Sequence, residues 1–187
     1  MKRYALLLCG GKSTRMGSDK GLIIYKGKPM VQHAIDHLQS KDFEILLLTG
    51  NPAYARFSLP MRADEIPNLG PIGALYTGML HTQSELLCVL ACDMPDSDPS
   101  IFSHLLEHLG DADAIVPSFE GRMQPLMGLY RRSLLPQVEA QIAAKNYRMQ
   151  DFCSSIDCSI IDLTEHPEFG QAANFHNVNS PKDLAQS

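Results

Sequence analysis

The stretch "LLLCGGKSTRMGSDKGL", residues 6–22, decides how the chain is read. An apolar run stops at two glycines, and a loop carrying Lys12, Arg15 and Lys20 follows. Its "GGKST" looks like the close of a P-loop, Gly-x4-Gly-Lys-Ser/Thr. With Gly11-Lys12-Ser13 as that close, the first glycine would have to stand at Leu6, inside the apolar run. The dinucleotide pattern Gly-x-Gly-x-x-Gly fails too, because Gly10, Gly11 and Gly17 have the wrong spacing. What remains is a strand, a Gly-Gly turn and a cationic loop. Paired glycines at a strand end let backbone N–H groups close on a ligand with no Cβ in the way. Open α/β sheets hold their ligands at such ends. Arg15 brings a planar fork of donors and Lys20 a mobile point charge, a pair suited to the many oxygens of a triphosphate.

Charge supports that reading. Residues 1–28 hold seven Lys/Arg and one acid, Asp19, while the rest of the chain holds nine Lys/Arg against twenty Asp/Glu. A basic patch on an acidic protein attracts a compact polyanion rather than long nucleic acid, so no nucleic-acid partner is expected. The apolar run at residues 4–9 is too short for a secretory core and reads as a buried first strand. No segment approaches the ~20 apolar residues of a membrane span. The five cysteines, Cys9, Cys88, Cys92, Cys153 and Cys158, read as buried thiols of a reducing cytoplasm. Cys88 and Cys92 lack neighbours that would complete a zinc set.

Outward from the glycine turn, apolar runs alternate with amphipathic stretches. Strands are expected at residues 4–9, 43–49, 85–91, 113–117 and 125–130, with a weaker one at 158–163. Their near-continuous apolar character suits strands covered on both faces, as in parallel sheets. Helices are expected at 29–40, 71–82, 98–109 and 131–144, with a short one from Ser180. Asp98 is the expected N-cap of the third, and Pro136 disturbs the first turns of the fourth. The alternation gives the fold class: α/β, a single-domain, doubly wound, mostly parallel sheet over residues 1–187.

Other residues carry chemistry. Asp93 in "LACDMP" sits in a turn at a strand end, either as a structural carboxylate or as a metal ligand. Asn177 and Asn179 flank Val178, so both amides can share one face while Val178 packs behind; an Asx turn before Pro181 reads equally well. The pairs His33/His37 and His104/His108 have i,i+4 spacing, but without the glutamate of HExxH or a third ligand they read as polar-face histidines.

"LCGGKSTRMGSDKG" resembles the signature Leu-x-Gly-Gly-x-Ser-x-Arg-Met-Gly-x-x-Lys of the nucleotidyltransferases that include molybdenum cofactor guanylyltransferase. Leu8, Gly10, Gly11, Ser13, Arg15, Met16, Gly17 and Lys20 are all in place. "NLGPIGAL" (68–75), "LACDMP" (90–95), "GRMQPLMGLY" (121–130) and "NVNSPKDL" (177–184) are similar to further family segments, in order, over residues 5–184.

The resemblance implies a Rossmann-like nucleotidyltransferase fold, with a nucleotide-binding half near residues 1–95 and an acceptor half near 96–187. It implies transfer of GMP from GTP to molybdopterin with loss of pyrophosphate, and Mg2+ held by Asp93. Leu8, Cys9, Gly10, Gly11, Lys20, Asn51, Asp64 and Asp93 would meet the nucleotide, with Glu65 a competitor of Asp64. Lys20, Arg15 and Asp93 would serve catalysis. Gln124, Arg148, Asn177 and Asn179 would meet the acceptor. It further implies transient contact with molybdenum-insertion proteins or molybdoenzymes. "LCGG" is closer to the "LAGG" of guanylyltransferases than to the "LAAG" of cytidylyltransferases, departing at Cys9. A related enzyme with another base or acceptor, a molybdopterin cytidylyltransferase or a sugar-phosphate nucleotidyltransferase, is the alternative.

Overall fold

The computed structural model describes residues 3–9 and 19–178. Gly10, Gly11, Arg15, Asn179 and the helix expected from Ser180 lie outside the described residues.

Strand β1 (Arg3–Leu8) leads through the hairpin β2 (Ile24–Tyr25) and β3 (Lys28–Pro29) into α1 (Met30–Gln39) and β4 (Phe43–Leu48). Lys26 and Gly27 between the hairpin strands have φ of 44° and 84°. Positive φ at both central residues is what a tight type I′ turn needs, and a glycine takes the second place without penalty. A 3-10 turn (Pro52–Phe57), β5 (Met61–Arg62), α2 (Pro71–His81), β6 (Leu86–Ala91) and α3 (Ser100–His108) follow. Then come β7 (Ala114–Phe119), β8 (Arg122–Met123), β9 (Met127–Arg131), α4 (Leu135–Ala143), α5 (Met149–Ser155) and β10 (Cys158–Asp162).

The main sheet runs β10-β7-β9-β6-β1-β4-β5, with β8 paired to β7. Neighbours β1/β4, β1/β6, β4/β5 and β10/β7 are parallel; β9 is antiparallel to both β6 and β7. The apolar run around 125–130 gives no hint of that reversal. Met127 to Tyr130 are buried whichever way the strand runs, so hydropathy reports the covering and not the direction.

Side chains alternate across the sheet as the pleat requires. Ala5, Leu7 and Cys9 of the first strand, with Ile45 and Leu47 of β4, face α1 and α3 through Val31, Ile35, Leu38, Ile101 and Leu105. Leu6, Leu8, Leu46 and Leu48 face α2, α4 and α5 through Ile72, Leu75, Met79, Val138 and Phe152. Gly78 of α2 shows how close the second layer lies: a Cβ there would stand 2.2 Å from Leu6 Cδ1.

Helix ends follow local chemistry. The third helix starts at Ser100 with Pro99, not the expected Asp98, at the N-cap position; the Asp98 carboxylate nonetheless accepts from the Ser100 N–H at 2.8 Å. Ahead of α4, a 3-10 turn (Arg132–Leu134) takes up the start of the predicted helix, and Pro136 falls in the first turn, where its missing N–H costs nothing. The sequence pattern predicts no helix where α5 forms. Its seven residues carry only Met149, Phe152 and Cys153 as a buried i, i+3, i+4 set, too short a pattern to stand out.

The strand order fixes where a ligand can sit. From β1 the chain moves outward to β4 and β5, then returns through α2 to β6 on the other side of β1. That reversal is a switch point, and in open α/β sheets the crevice beyond it is the binding site.

Candidate active site

Register brings three strand ends level, with Leu8 paired to Leu48 on one side and to Ala91 on the other. Cys9 and Cys92 continue this edge: the Cys9 N–H donates to the Leu48 carbonyl at 3.1 Å, and the Cys92 N–H to the Leu8 carbonyl at 3.0 Å. The next residue after Cys92 is Asp93. Its Oδ2 lies 2.7 Å from Lys20 Nζ, although 73 residues separate the two. Both side chains stay partly open, at 19% and 23% exposure. Leu8 and Cys9 themselves are buried beneath the site. Burial, reinforced by the neighbouring Cys92, pushes the Cys9 thiol well above its ordinary pKa, so it stands as a neutral wall.

Asp19 organises the approach to Lys20. Its Oδ1 accepts from the Tyr54 hydroxyl at 2.5 Å and from the Gly21 N–H at 3.2 Å, and its Oδ2 accepts from Asn51 Nδ2 at 3.0 Å. The Tyr54 oxygen also lies 3.2 Å from the Cys9 carbonyl oxygen. Burial, more than its charged neighbours, raises the Tyr54 pKa far beyond its usual value, which keeps the phenol a donor. Gly21 is required here, since a Cβ on it would stand 2.3 Å from the Tyr54 oxygen.

Asn51 thus has structural duties: its Oδ1 accepts from the Ala53 N–H at 3.0 Å, capping the 3-10 turn. Asp64 follows β5 and is half-buried, with desolvation raising its carboxyl pKa. Its neighbour Glu65 turns instead to His81, with Oε1 2.6 Å from Nε2.

Past Asp93 a cleft of about 330 Å3 opens, lined by Pro71, Gln124, Tyr147, Arg148, Gln150 and Asn177 among others. A second hollow of about 580 Å3 adjoins it, sharing Met123, Gln124, Gln150 and Asn177. Both volumes fall in the range of small-molecule sites. Pro71 opens α2, and the preceding Gly70 has φ 68° and ψ −149°, a conformation essentially reserved for glycine. The chain returns to the site near its end: the Val178 N–H donates to the Asp93 carbonyl at 2.9 Å, and Val178 packs on Tyr25 and Met30. That leaves Asn177 on the cleft wall.

Of the residues singled out by sequence, the structure gathers Lys20, Asp93, Gln124, Arg148 and Asn177 about one opening. Asn51 joins through Asp19, and among the described residues Asp64 makes no hydrogen bond to them. Asp19 and Tyr54 were not singled out. A lone acid inside a basic loop was the available sign of the first; the second had none.

A lysine–aspartate pair at the switch point of a doubly wound sheet, beside the end of β1, fits an α/β enzyme that handles nucleotides. More narrowly, the chain belongs to the MobA-like NTP transferase family, whose model matches residues 5–157, and so is a nucleotidyltransferase. It is 31% identical over 181 residues to a probable molybdenum cofactor guanylyltransferase of Flavobacterium johnsoniae, covering 95% of this chain and 92% of that one. It is 33% identical over 178 residues to a protein of the same description from Carboxydothermus hydrogenoformans, covering 95% and 90%. In fold it is similar to the molybdopterin-guanine dinucleotide biosynthesis protein A of Archaeoglobus fulgidus, with a TM-score of 0.82, 20% identity and coverage of 98% and 95%.

Proposed function

We propose that this chain transfers GMP from GTP to the terminal phosphate of molybdopterin, releasing pyrophosphate and forming the guanine dinucleotide cofactor. The observation that carries this is the meeting of Lys20 and Asp93 at 2.7 Å on the edge of a cleft that also holds Gln124, Arg148 and Asn177. The names of the relatives point to the base and the acceptor.

The nucleophile is already a phosphate anion, so no general base is required. The difficulty is electrostatic: two unit charges ~4 Å apart repel by about 4 kcal/mol at an effective dielectric of 20. Lys20 would meet the triphosphate, a role that the sequence resemblance extends to Arg15 and to the Gly10 and Gly11 amides. The N-terminus of α2 at Pro71 adds its positive end to the cleft wall. Asp93 offers the hard oxygen that Mg2+ takes, an ion that usually needs only one or two carboxylates beside phosphate oxygens and water. The residues fit that ion; bound there, it would neutralise charge on the α-phosphate and the departing pyrophosphate. Fixed, preorganised charge of this kind is worth most in a water-poor cleft.

Asn51 keeps a second amide hydrogen for the base, and Asp64 serves the nucleotide from the β5 end. Arg148, exposed at the rim, meets the acceptor phosphate with Gln124, Asn177 and Asn179. One domain serves both substrates in this reading, nucleotide-binding over about residues 1–95 and acceptor-binding over about 96–187. Among the described residues no helix is long and apolar enough to cross a membrane. The five unbridged cysteines support work in the cytoplasm. Transient contact with molybdenum-insertion proteins or molybdoenzymes would carry the product onward.

Incubation with molybdopterin, GTP and Mg2+, followed by mass analysis of the pterin, tests the reaction; absence of the guanine adduct would defeat it. Calorimetric titration with GTP, CTP and UTP tests the base, and preference for CTP would transfer the assignment to a cytidylyltransferase. Asp93→Ala is expected to stop pyrophosphate release with the fold intact; unchanged turnover would remove the metal role.

A further inference from the structure

Away from the cleft, α3 and the segment after β10 bring histidines together. One ring nitrogen each of His104 and His108 and one carboxylate oxygen of Glu107 lie within 4.8 Å of one another. His166 joins from the other segment, its ring centroid 5.0 Å from that of His104 at an edge-on angle of 69°. None of these residues lines the cleft beside Asp93.

We propose that His104, Glu107 and His108 form a binding site for a borderline transition-metal ion of the Zn2+ type, with the neighbouring His166 ring packed edge-on against His104. The sequence HLLEH puts the three helical donors at i, i+3 and i+4, hence on one face. The glutamate that HExxH would place at position 105 stands two places later, at Glu107, and tertiary folding brings a further histidine nearby.

Two more observations point to a ligand. His104 Nε2 is buried and has no hydrogen-bond partner among the described residues, a costly state that an ion ligated by Nε2 itself would relieve. The His108 ring is oriented as metal histidines are. His108 Nδ1 lies 2.8 Å from the His104 carbonyl oxygen, which fixes that nitrogen as donor and leaves Nε2 with its lone pair. Two donors on a tetrahedral zinc stand roughly 3.4 Å apart at bond lengths of about 2.0–2.1 Å, so small side-chain rotations close the set. Imidazole with one carboxylate selects Zn2+ or its neighbours over Mg2+, which separates this site from Asp93.

The test is titration of the full, nucleotide-free chain with Zn2+ against a chromophoric chelator, with Co2+ as spectroscopic substitute. One equivalent is expected to bind, with a tetrahedral Co2+ spectrum, no thiolate charge-transfer band and a raised melting temperature. His108→Ala and Glu107→Gln, both at exposed positions, are expected to weaken binding by at least about a hundred-fold, beyond the roughly 10–100-fold that loss of an orienting group costs. Their melting in chelator should match the unsubstituted chain. No stoichiometric binding, a thiolate band, or unchanged affinity in both variants would overturn the site.

Discussion

The two sides of the cleft are held in opposite ways. On the strand-end side, Asp19 is fixed by the Tyr54 hydroxyl, the Asn51 amide and the Gly21 N–H, and Tyr54 is fully buried. On the opposite rim, Arg148 and Gln150 are exposed and Gln124 and Asn177 are half-buried. Among the described residues these rim residues donate through backbone N–H groups and not through their side chains: Gln124 N–H to the Pro117 carbonyl at 2.8 Å, and Arg148 N–H to Asn146 Oδ1 at 3.3 Å. The contrast suits a transferase. Charge that must meet a triphosphate in one geometry works best when fixed beforehand, whereas a rim that admits a second, bulky substrate needs room to close on it.

The comparison breaks most visibly at Lys20. Lys20→Met is expected to cut kcat for pyrophosphate release by about 10²–10³-fold, the usual cost of one preorganised charge-stabilising donor. A change in KM alone would mean that Lys20 binds ground state and transition state equally.

Gly21→Ala sharpens the same side. Its Cβ would enter the space 2.3 Å from the Tyr54 oxygen, and the fully buried tyrosine has little freedom to yield. We expect a loss of about 1–3 kcal/mol, the range for overpacked cores. At roughly 2–4 °C per kcal/mol for a chain of this size, differential scanning calorimetry resolves it. Turnover should fall with it, because Asp19 and Lys20 move together. Arg148→Ala, on the rim, should do the reverse. Stability is expected to stay within about 0.5 kcal/mol, as for most surface changes. The acceptor KM should rise about tenfold, near the lower value of a charge-assisted hydrogen bond. If both variants act alike, the contrast between the two sides is wrong.

How much of this could be read from sequence follows the same division. The first strand was legible because Ala5 to Leu8 are apolar on both faces and end at glycines, and Asp93 was legible because it ends an equally buried strand. Tyr54 was not: it lies on a 3-10 turn, 45 residues from the Cys9 carbonyl that it approaches, and nothing local marks a tyrosine that will reach so far. The antiparallel β9 escaped because burial on both faces erases the pattern that direction would leave. His104 and His108 were visible as a pair, but the third imidazole comes from a segment 62 residues later in the chain, a coincidence only the tertiary fold creates.

The smallest effect concerns the hairpin beside the site. The Tyr25 hydroxyl donates to Asp96 Oδ2 at 2.5 Å, and Lys26 Nζ lies 2.9 Å from Asp96 Oδ1. Burial alone would raise the Asp96 pKa, but the Tyr25 and Lys26 bonds outweigh it and bring the carboxyl below its ordinary value. A depressed native carboxylate contributes stability above its unfolded pKa of about 3.9, which is lost as pH falls through the native value. The Lys26 pKa is raised, chiefly by its bond to Asp96, so its contribution holds below about 10.4 and fades as pH rises through the native value. Asp96→Asn should therefore flatten both the acid and the alkaline limbs of a stability profile. At neutral pH it should cost no more than about 1 kcal/mol, since Lys26 is 46% exposed and water screens the pair. Because Val178 packs against Tyr25 on this hairpin and bonds Asp93 through its N–H, the same variant reports on the rim as well. A change in acceptor KM with GTP affinity unaltered would show that the hairpin holds Asn177 in place rather than the triphosphate side.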